Sequence, residues 1–303
     1  MKKNYAKSFY NDIGLRLAKE LFQLEYLHYG YFADLPPTLA ALPQAQEKYV
    51  QKVLEQIPGG VREVLDIGCG AGGVAQKLIA RNFKVTCVDP DPYMLDKTME
   101  ATQRQITPIN EFYEVAEKLP EKKFDLILMS ESCQYVPFNE GFAQHRRFLK
   151  PGGHVLIADF FKIKDLDEPH LSKSGHNYEE FIATARGYGF ELVKEIDITK
   201  ETAPTMDIYQ RVIFEKVFPI AEAVVAYLSR RFPKVFSILK YFFAEKADFL
   251  KTKYSAQDSV TFMKYKKYFI LLFANAKSQD LPIGRDANGV KGGLPLNESG
   301  SAR

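Results

Sequence analysis

Asp66, Gly68, Gly70 and Gly73 lie together in VLDIGCGAGG (64–73), and a second acid, Asp89, follows Gly70 by 19 residues. Glycines at a strand-to-helix turn allow tight backbone geometry and let a ligand approach the main chain. The GxGxxG spacing is that of a dinucleotide loop, where an acid some 20 residues on hydrogen-bonds ribose hydroxyls. Asp66 separates the possible ligands. Its carboxylate would repel a pyrophosphate and attract an ammonium, by about 4 kcal/mol either way at 4 Å in a partly screened site. A ligand joining a ribose to a cationic amino acid suits both acids.

The elements that must hold these residues are legible in the apolar pattern. Residues 5–30 and 38–57 carry apolar side chains at helical spacing around Pro36-Pro37, which predicts two helices, a lid over residues 1–60. From Val61, β-rich runs (VREVLDIG, FKVTCVDP, KFDLILMSES, HVLIADFF) alternate with helical stretches (GGVAQKLIARN, DPYMLDKTMEATQRQ, NEGFAQHRRFLKPGG). Parallel neighbours need crossover connections, so the repeat predicts a doubly wound, mostly parallel α/β sheet covered on both faces. A helix near 177–188 and a strand near 191–198 close a core spanning 61–198. Residues 199–262 read as a helical insertion, 263–280 as the closing strand with its centre in KKYFILLFANAK, and 281–303 as a Gly- and Pro-rich flexible tail.

Composition removes several classes. With 303 residues, 46% of them hydrophobic, the chain can bury a full core, so disorder is not expected. Cys69, Cys87 and Cys133 are odd in number and set in apolar runs; they predict reduced thiols and a cytoplasmic location, and none has zinc-ligand spacing, so no metal is expected. The N-terminus lacks the apolar core of a signal peptide, and no stretch of about 18 uncharged apolar residues could span a bilayer. A net charge of +3 gives no general case for nucleic acid, and no base-flipping motif is present.

A ribose-bearing cationic amino acid is S-adenosylmethionine, and the chain resembles the class I, Rossmann-like methyltransferases that use it. VLDIGCGAGG looks like their first motif, VTCVDPD their ribose-binding acid, AEKLP the adenine-side loop, and FDLIL and FLKPGGHVLIADF the fourth and fifth strands. The resemblance implies a seven-stranded sheet and conversion of S-adenosyl-L-methionine to S-adenosyl-L-homocysteine. It implies that Gly68 and Gly70 line the methionine and ribose, that Asp66 orients the amino group, and that Asp89 accepts the ribose hydroxyls. Cys69, Pro90, Ala116, Glu117 and Ser130 complete the cofactor side, and Tyr29 and Tyr31 are lid residues over the sulfonium.

Ligands in such sheets lie beyond the carboxyl ends of the strands. Gln134, Tyr135, Phe160 and Phe161 are therefore expected in the acceptor pocket. The segment SESCQYV resembles that of tocopherol-type and other small-molecule methyltransferases, which tend to carry an acid and a histidine where this chain has Gln134 and Tyr135. Neither is a good base near neutral pH. Candidates for catalysis are Glu131, Tyr135 and His28, with Asp159 as a further carboxylate. Residues 211–275 hold 12 Lys or Arg against 5 acids, among many aromatics. This predicts a cap for a largely apolar small-molecule acceptor, such as a quinol, polyketide or acyl compound, or a surface for peripheral membrane contact. A nicotinamide-dependent oxidoreductase and a non-catalytic S-adenosylmethionine-binding protein are the other classes.

Overall fold

The computed structural model describes residues 26–163, 174–233 and 258–275. The first expected helix up to residue 25, much of the insertion and the expected tail lie outside them.

Helix α1 (Leu42–Leu54) starts at Leu42 rather than at residue 38, because Pro43 sits in its first turn, where a missing N–H costs nothing. It buries Leu42, Ala45, Gln46, Tyr49, Val50 and Val53, a stripe at helical spacing. Gln46 Nε2 donates to the carbonyls of Tyr26 (3.2 Å) and His28 (2.5 Å), so this helix anchors the extended segment before it.

The central sheet has seven strands: β1 (Glu63–Ile67), β2 (Lys84–Val88), β3 (Thr107–Ile109), β4 (Phe124–Ser130), β5 (Leu149–Lys162), β6 (Phe190–Asp197) and β7 (Lys266–Asn275). Their order is β3-β2-β1-β4-β5-β7-β6, with β7 antiparallel to both neighbours and the remaining pairs parallel. Crossovers α2 (Gly73–Ala80), α3 (Pro92–Ala101), α4 (Phe138–Phe148) and α5 (Tyr178–Gly187) cover it. Successive strand residues point to opposite faces. Val64, Leu126, Leu128, Leu156 and Ile270 accordingly pack on one side, and Leu65, Ile127, Met129, Ile157 and Leu271 on the other. Both sides are buried, as central parallel strands require.

The chain runs outward from β1 to β3, then returns to place β4 on the other side of β1. The loops leaving β1 and β4 therefore diverge, and a crevice opens at the carboxyl ends of these strands. Caps fix the loops that border it. Asp89 Oδ1 accepts from the Asp91 amide at 2.9 Å, and Asp91 Oδ1 accepts from Tyr93 N at 3.0 Å, starting α3.

The expected insertion contains α6 (Thr199–Thr202), α7 (Pro204–Val212), a widened turn at Ile213–Val217, and α8 (Phe218–Arg231). Helix α9 (Ser259–Tyr265) leads into β7, which ends its described course at Asn275. Helix α7 packs into the body through Thr205, Ile208 and Val212, whereas α8 buries none of its residues.

Tyr113, in the short turn after β3, joins its hydroxyl to His145 Nδ1 at 2.8 Å inside the core. Burial drives His145 down to about 3, so the ring is neutral. Tyr113→Phe would leave a buried ring nitrogen without its partner, costing about 1 to 3 kcal/mol. Urea unfolding should show this as a lower midpoint at unchanged slope; an unmoved midpoint would refute it.

Candidate functional site

The glycine turn begins with Gly68, whose amide donates to the Val88 carbonyl at 2.8 Å and thereby ties β1 to β2. Its φ is +70°, and a Cβ there would stand 2.5 Å from Ser132 Cβ. Any other residue would be strained and in collision. Gly72 is constrained in the same way, at φ +89° with a Cβ position 2.8 Å from Thr98 Cα. Thr98, in α3, also donates its hydroxyl to the Gly70 carbonyl at 2.8 Å. The turn is thus held closed from below and its main chain faces the crevice.

Two cavities open there. The first, about 240 Å³, is bordered by Tyr26, His28, Asp66, Cys69, Gly70 and Ser130. The second, about 290 Å³, is bordered by Asp89, Pro90, Met94, Phe112, Tyr113 and Glu114. Gly68, Glu131 and Tyr135 border both. Together they form a bent trough of a size that small-molecule sites occupy.

The first cavity offers acceptors that suit a cation. Asp66 is 2% exposed, and its Oδ2 has no hydrogen-bond partner. Burial, and then the nearby Asp89 charge, push its carboxyl up to about 7. A buried acceptor left unpaired costs free energy, and an ammonium placed against it would remove that cost. His28 adds a second such acceptor. Its Nδ1 donates to the Tyr29 carbonyl at 2.8 Å, which leaves Nε2 as a lone pair without a partner. Burial lowers His28 to about 4, so it stays neutral. The residues present therefore fit a ligand with an ammonium in the first cavity and hydroxyls near Asp89 in the second.

Glu131 stands between the two cavities with φ +55°, a backbone state sparsely used by side-chain-bearing residues. Its amide donates to the Ala158 carbonyl at 2.8 Å. Its Oε1 accepts from Tyr29 N and Tyr268 Oη, both at 2.8 Å. Burial raises its carboxyl to about 8, with Asp159 adding in the same direction. Asp159, raised by burial to about 7, is occupied differently. It accepts from the amides of Gln134 (3.1 Å) and Phe160 (2.8 Å), and from Gln134 Nε2 at 3.4 Å.

Asp66, Gly68, Cys69, Gly70, Asp89, Pro90, Ser130, Glu131, Tyr135 and His28 come together as expected from sequence. Others do not. Phe161 is a correction: one residue of alternation turns it to the far face of the sheet, where it packs on Tyr178, Phe181 and Phe269. Phe160 points to the near face but packs against Tyr29, Phe262 and Tyr268 rather than lining either cavity. Gln134 clamps Asp159. Ala116 is buried with its carbonyl accepting from Arg147, and the Glu117 amide donates to Glu111, so neither borders the second cavity. Phe112, Tyr113 and Glu114 do, a shift of a few residues set by the 3-10 turn at Tyr113–Val115. Tyr31 is half-exposed near Lys52, and Tyr29 sends its hydroxyl to Met206 Sδ. The preceding Tyr26, Leu27 and His28 line the first cavity instead, because α1 grips that stretch through Gln46. Of these three only His28 is a candidate from sequence; nothing in the sequence distinguishes Tyr26 and Leu27 from Tyr29 and Tyr31. Among the described residues no group of three His, Cys, Asp or Glu is placed to hold a metal ion.

Asp66 carries a pH signature. Its folded pKa lies above the ordinary carboxylate value, so its contribution to stability is fully present below about pH 4 and is lost as pH rises through about 7. Ligand-free Asp66→Asn should therefore gain on the wild-type protein by about 1 kcal/mol between pH 6 and pH 8. Paired chemical denaturation at the two pH values measures this difference directly; a constant difference would contradict the burial of this charge.

Residues 64–153 match the family model for a methyltransferase domain. The chain is 28% identical over 159 residues to a 2-methyl-6-phytyl-1,4-hydroquinone methyltransferase of a Synechocystis species, a match covering 50% of this chain and 49% of that one. The chain thus spans about half the length of that curated relative. Among solved structures it is similar to the [4+2]-cyclase SpnF, with TM-score 0.62, 17% identity and coverage of 89% and 96%. It is also similar to the geranyl diphosphate C-methyltransferase of Streptomyces coelicolor A3(2), with TM-score 0.57, 14% identity and coverage of 86% and 92%. At such identities the two structures speak for the fold alone. The matched stretch begins in β1, contains both site acids and ends within β5, in a seven-stranded sheet whose last strand is reversed; residues 64–153 are thus similar to a methyltransferase domain, and the fold around them is that of the class I, Rossmann-like methyltransferases.

Proposed function

We propose that the protein transfers a methyl group from S-adenosylmethionine to a small, largely apolar organic acceptor. The observation that carries this reading is the unpartnered, buried Oδ2 of Asp66 in a cavity that shares Gly68, Glu131 and Tyr135 with the one bordered by Asp89. A pyrophosphate at that place would meet like charge, which disfavours a nicotinamide cofactor. Asp66 would hold the amino group, Gly68 and Gly70 the chain and ribose by close main-chain approach, and Asp89 the ribose hydroxyls. When bound, the cofactor supplies an electrophilic methyl group on a cationic sulfur that departs as a neutral thioether. The protein's share is alignment and the fate of one proton. Orientation alone is worth on the order of 7 to 11 kcal/mol.

Glu131 is the group placed to hold the acceptor's proton. Its Oε1 is already engaged, and Oε2 makes no hydrogen bond among the described residues. With a pKa near 8 it is matched to proton transfer near neutrality. His28 near 4 is too weak a base, and Tyr135, 70% exposed, serves as a wall shared by both cavities. Asp159 has its oxygens spent on amides. A membrane-bound origin for the acceptor is supported by α8, where Ile220, Val224, Tyr227 and nearby Phe232 are exposed beside Arg230 and Arg231. The phytyl chain in the name of the Synechocystis relative supports a largely apolar acceptor. No helix among the described residues is long and apolar enough to cross a membrane. Three unpaired, buried thiols support a reducing, cytoplasmic setting.

Asp89→Ala should weaken S-adenosylmethionine binding by about 2 to 4 kcal/mol through loss of two hydrogen bonds to a charged acceptor. Calorimetric titration reads this, and unchanged affinity would overturn the assignment. Vesicle flotation tests the surface of α8: the protein should rise with liposomes containing anionic lipid, and absence from the floated fraction would remove the membrane from the reading.

A further inference from the structure

We propose that Tyr268 is a positioning residue for Glu131: its hydroxyl, together with the main-chain amide of Tyr29, pins Oε1 and leaves Oε2 to take the acceptor's proton. The proposal rests on the reading of Glu131 as that proton's acceptor. Tyr268 lies on β7, paired with Phe160 of β5 and fully buried, 137 residues from Glu131 in sequence. Its hydroxyl is 2.8 Å from Glu131 Oε1 and 2.8 Å from Tyr49 Oη. Tyr49 Oη in turn is 3.2 Å from Ser130 Oγ. Tyr268 donates to Glu131, and Tyr49, whose hydroxyl is also within 3.3 Å of the Ala158 carbonyl, links Tyr268 to Ser130, so three hydroxyls and the carboxylate lie in one connected run. Burial raises both phenols well above their usual range, so each keeps its proton and acts as a donor.

The purpose of such a run follows from the surroundings of Glu131. The acid from β5, Asp159, opposes its ionisation, and Asp66 from β1 borders the same cavity. Tyr135 from its own loop and Tyr209 from α7 face it as neutral phenols, and His28 from the N-terminal segment is a neutral ring. Lys266 bears on Asp159 and on Ser174 Oγ, and Glu131 receives no cation among the described residues. Donated hydrogen bonds are therefore what keeps its carboxylate accessible near neutral pH. They also supply aim. Two donors on one oxygen fix the plane of a carboxylate whose backbone is already held at positive φ.

The test needs no acceptor. Full-length, ligand-free protein with 13C-labelled glutamate carboxyls is titrated from pH 5 to pH 10 by infrared difference spectroscopy, and Glu131→Gln assigns the Glu131 band. Tyr268→Phe should move the midpoint of that band upward by about one pH unit, a tenfold tighter hold on the proton. A packing role alone leaves the midpoint where it is, and that result would sink the proposal. Should Tyr268→Phe not fold, Tyr49→Phe decides: it removes the next hydroxyl and should move the midpoint up by less, with no movement counting against the proposal. If calorimetry finds no S-adenosylmethionine binding to the wild-type protein, the functional reading fails while the comparison of midpoints stands.

Discussion

A buried carboxylate with one oxygen unpaired is costly, and Asp66 is placed so that the fold cannot relieve it. It is the penultimate residue of β1, between neighbours Cys87 on β2 and Leu128 on β4, where backbone pairing has consumed the main-chain donors. The residues that follow, Ile67, Gly68, Cys69 and Gly70, carry no side-chain N–H or hydroxyl donor. The charge is thus left for a ligand. Much of the site's design is consequent on this: Gly68 must be glycine because Ser132 closes on it, and the N-terminal segment must be gripped by Gln46 to wall the cavity on its open side.

The same low-dielectric setting acts on Glu131 and Asp159, yet they end in different roles. Asp159 is satisfied by amides of Gln134 and Phe160 and by the Gln134 side chain, so it staples the loop after β4 to the end of β5. Glu131 meets its donors on one oxygen only. Hydrogen-bond supply, more than burial, separates a carboxyl satisfied on both oxygens from one satisfied on a single oxygen here. It also accounts for Gln134 standing where the resembled methyltransferases tend to carry an acid. A second acid there would face Asp159 at hydrogen-bond distance, and like charges so close could not both ionise.

The sheet and its crossovers were legible because period and burial agree: every residue of β4 from Leu126 to Met129 is apolar and buried. The glycine turn and the two acids were legible because spacing along one chain segment fixes their geometry. The rest of the site depends on long-range placement. Tyr268 reaches Glu131 only because β7 inserts antiparallel between β5 and β6, a pairing that no local pattern encodes. Phe161 was misplaced because a strand buried on both faces loses the alternation that tells inward from outward. Tyr29 and Tyr31 were placed at the sulfonium on an aromatic motif, whereas the register of the extended segment on α1 puts residues 26–28 at the cavity.

Separation of tasks between the two halves of the trough also bears on acceptor selection. The second cavity has rings and acids at its rim, Phe112, Glu114 and Asp91, and on the proposed reading would take the nucleoside end of the ligand. At the junction the exposed ring of Tyr135 faces both cavities, and the packed rings of Tyr29, Phe160, Phe262 and Tyr268 lie behind Glu131. An acceptor must therefore approach from the Tyr135 side, since the aromatic cluster is close-packed and cannot yield without losing burial worth about 1.5 to 3 kcal/mol per ring. A flat or extended apolar acceptor lying along Tyr135 satisfies that constraint, and a bulky polar one would desolvate Glu131 without replacing its hydrogen bonds. On the proposed reading, shape at Tyr135 and proton affinity at Glu131 would together set which nucleophiles can be methylated.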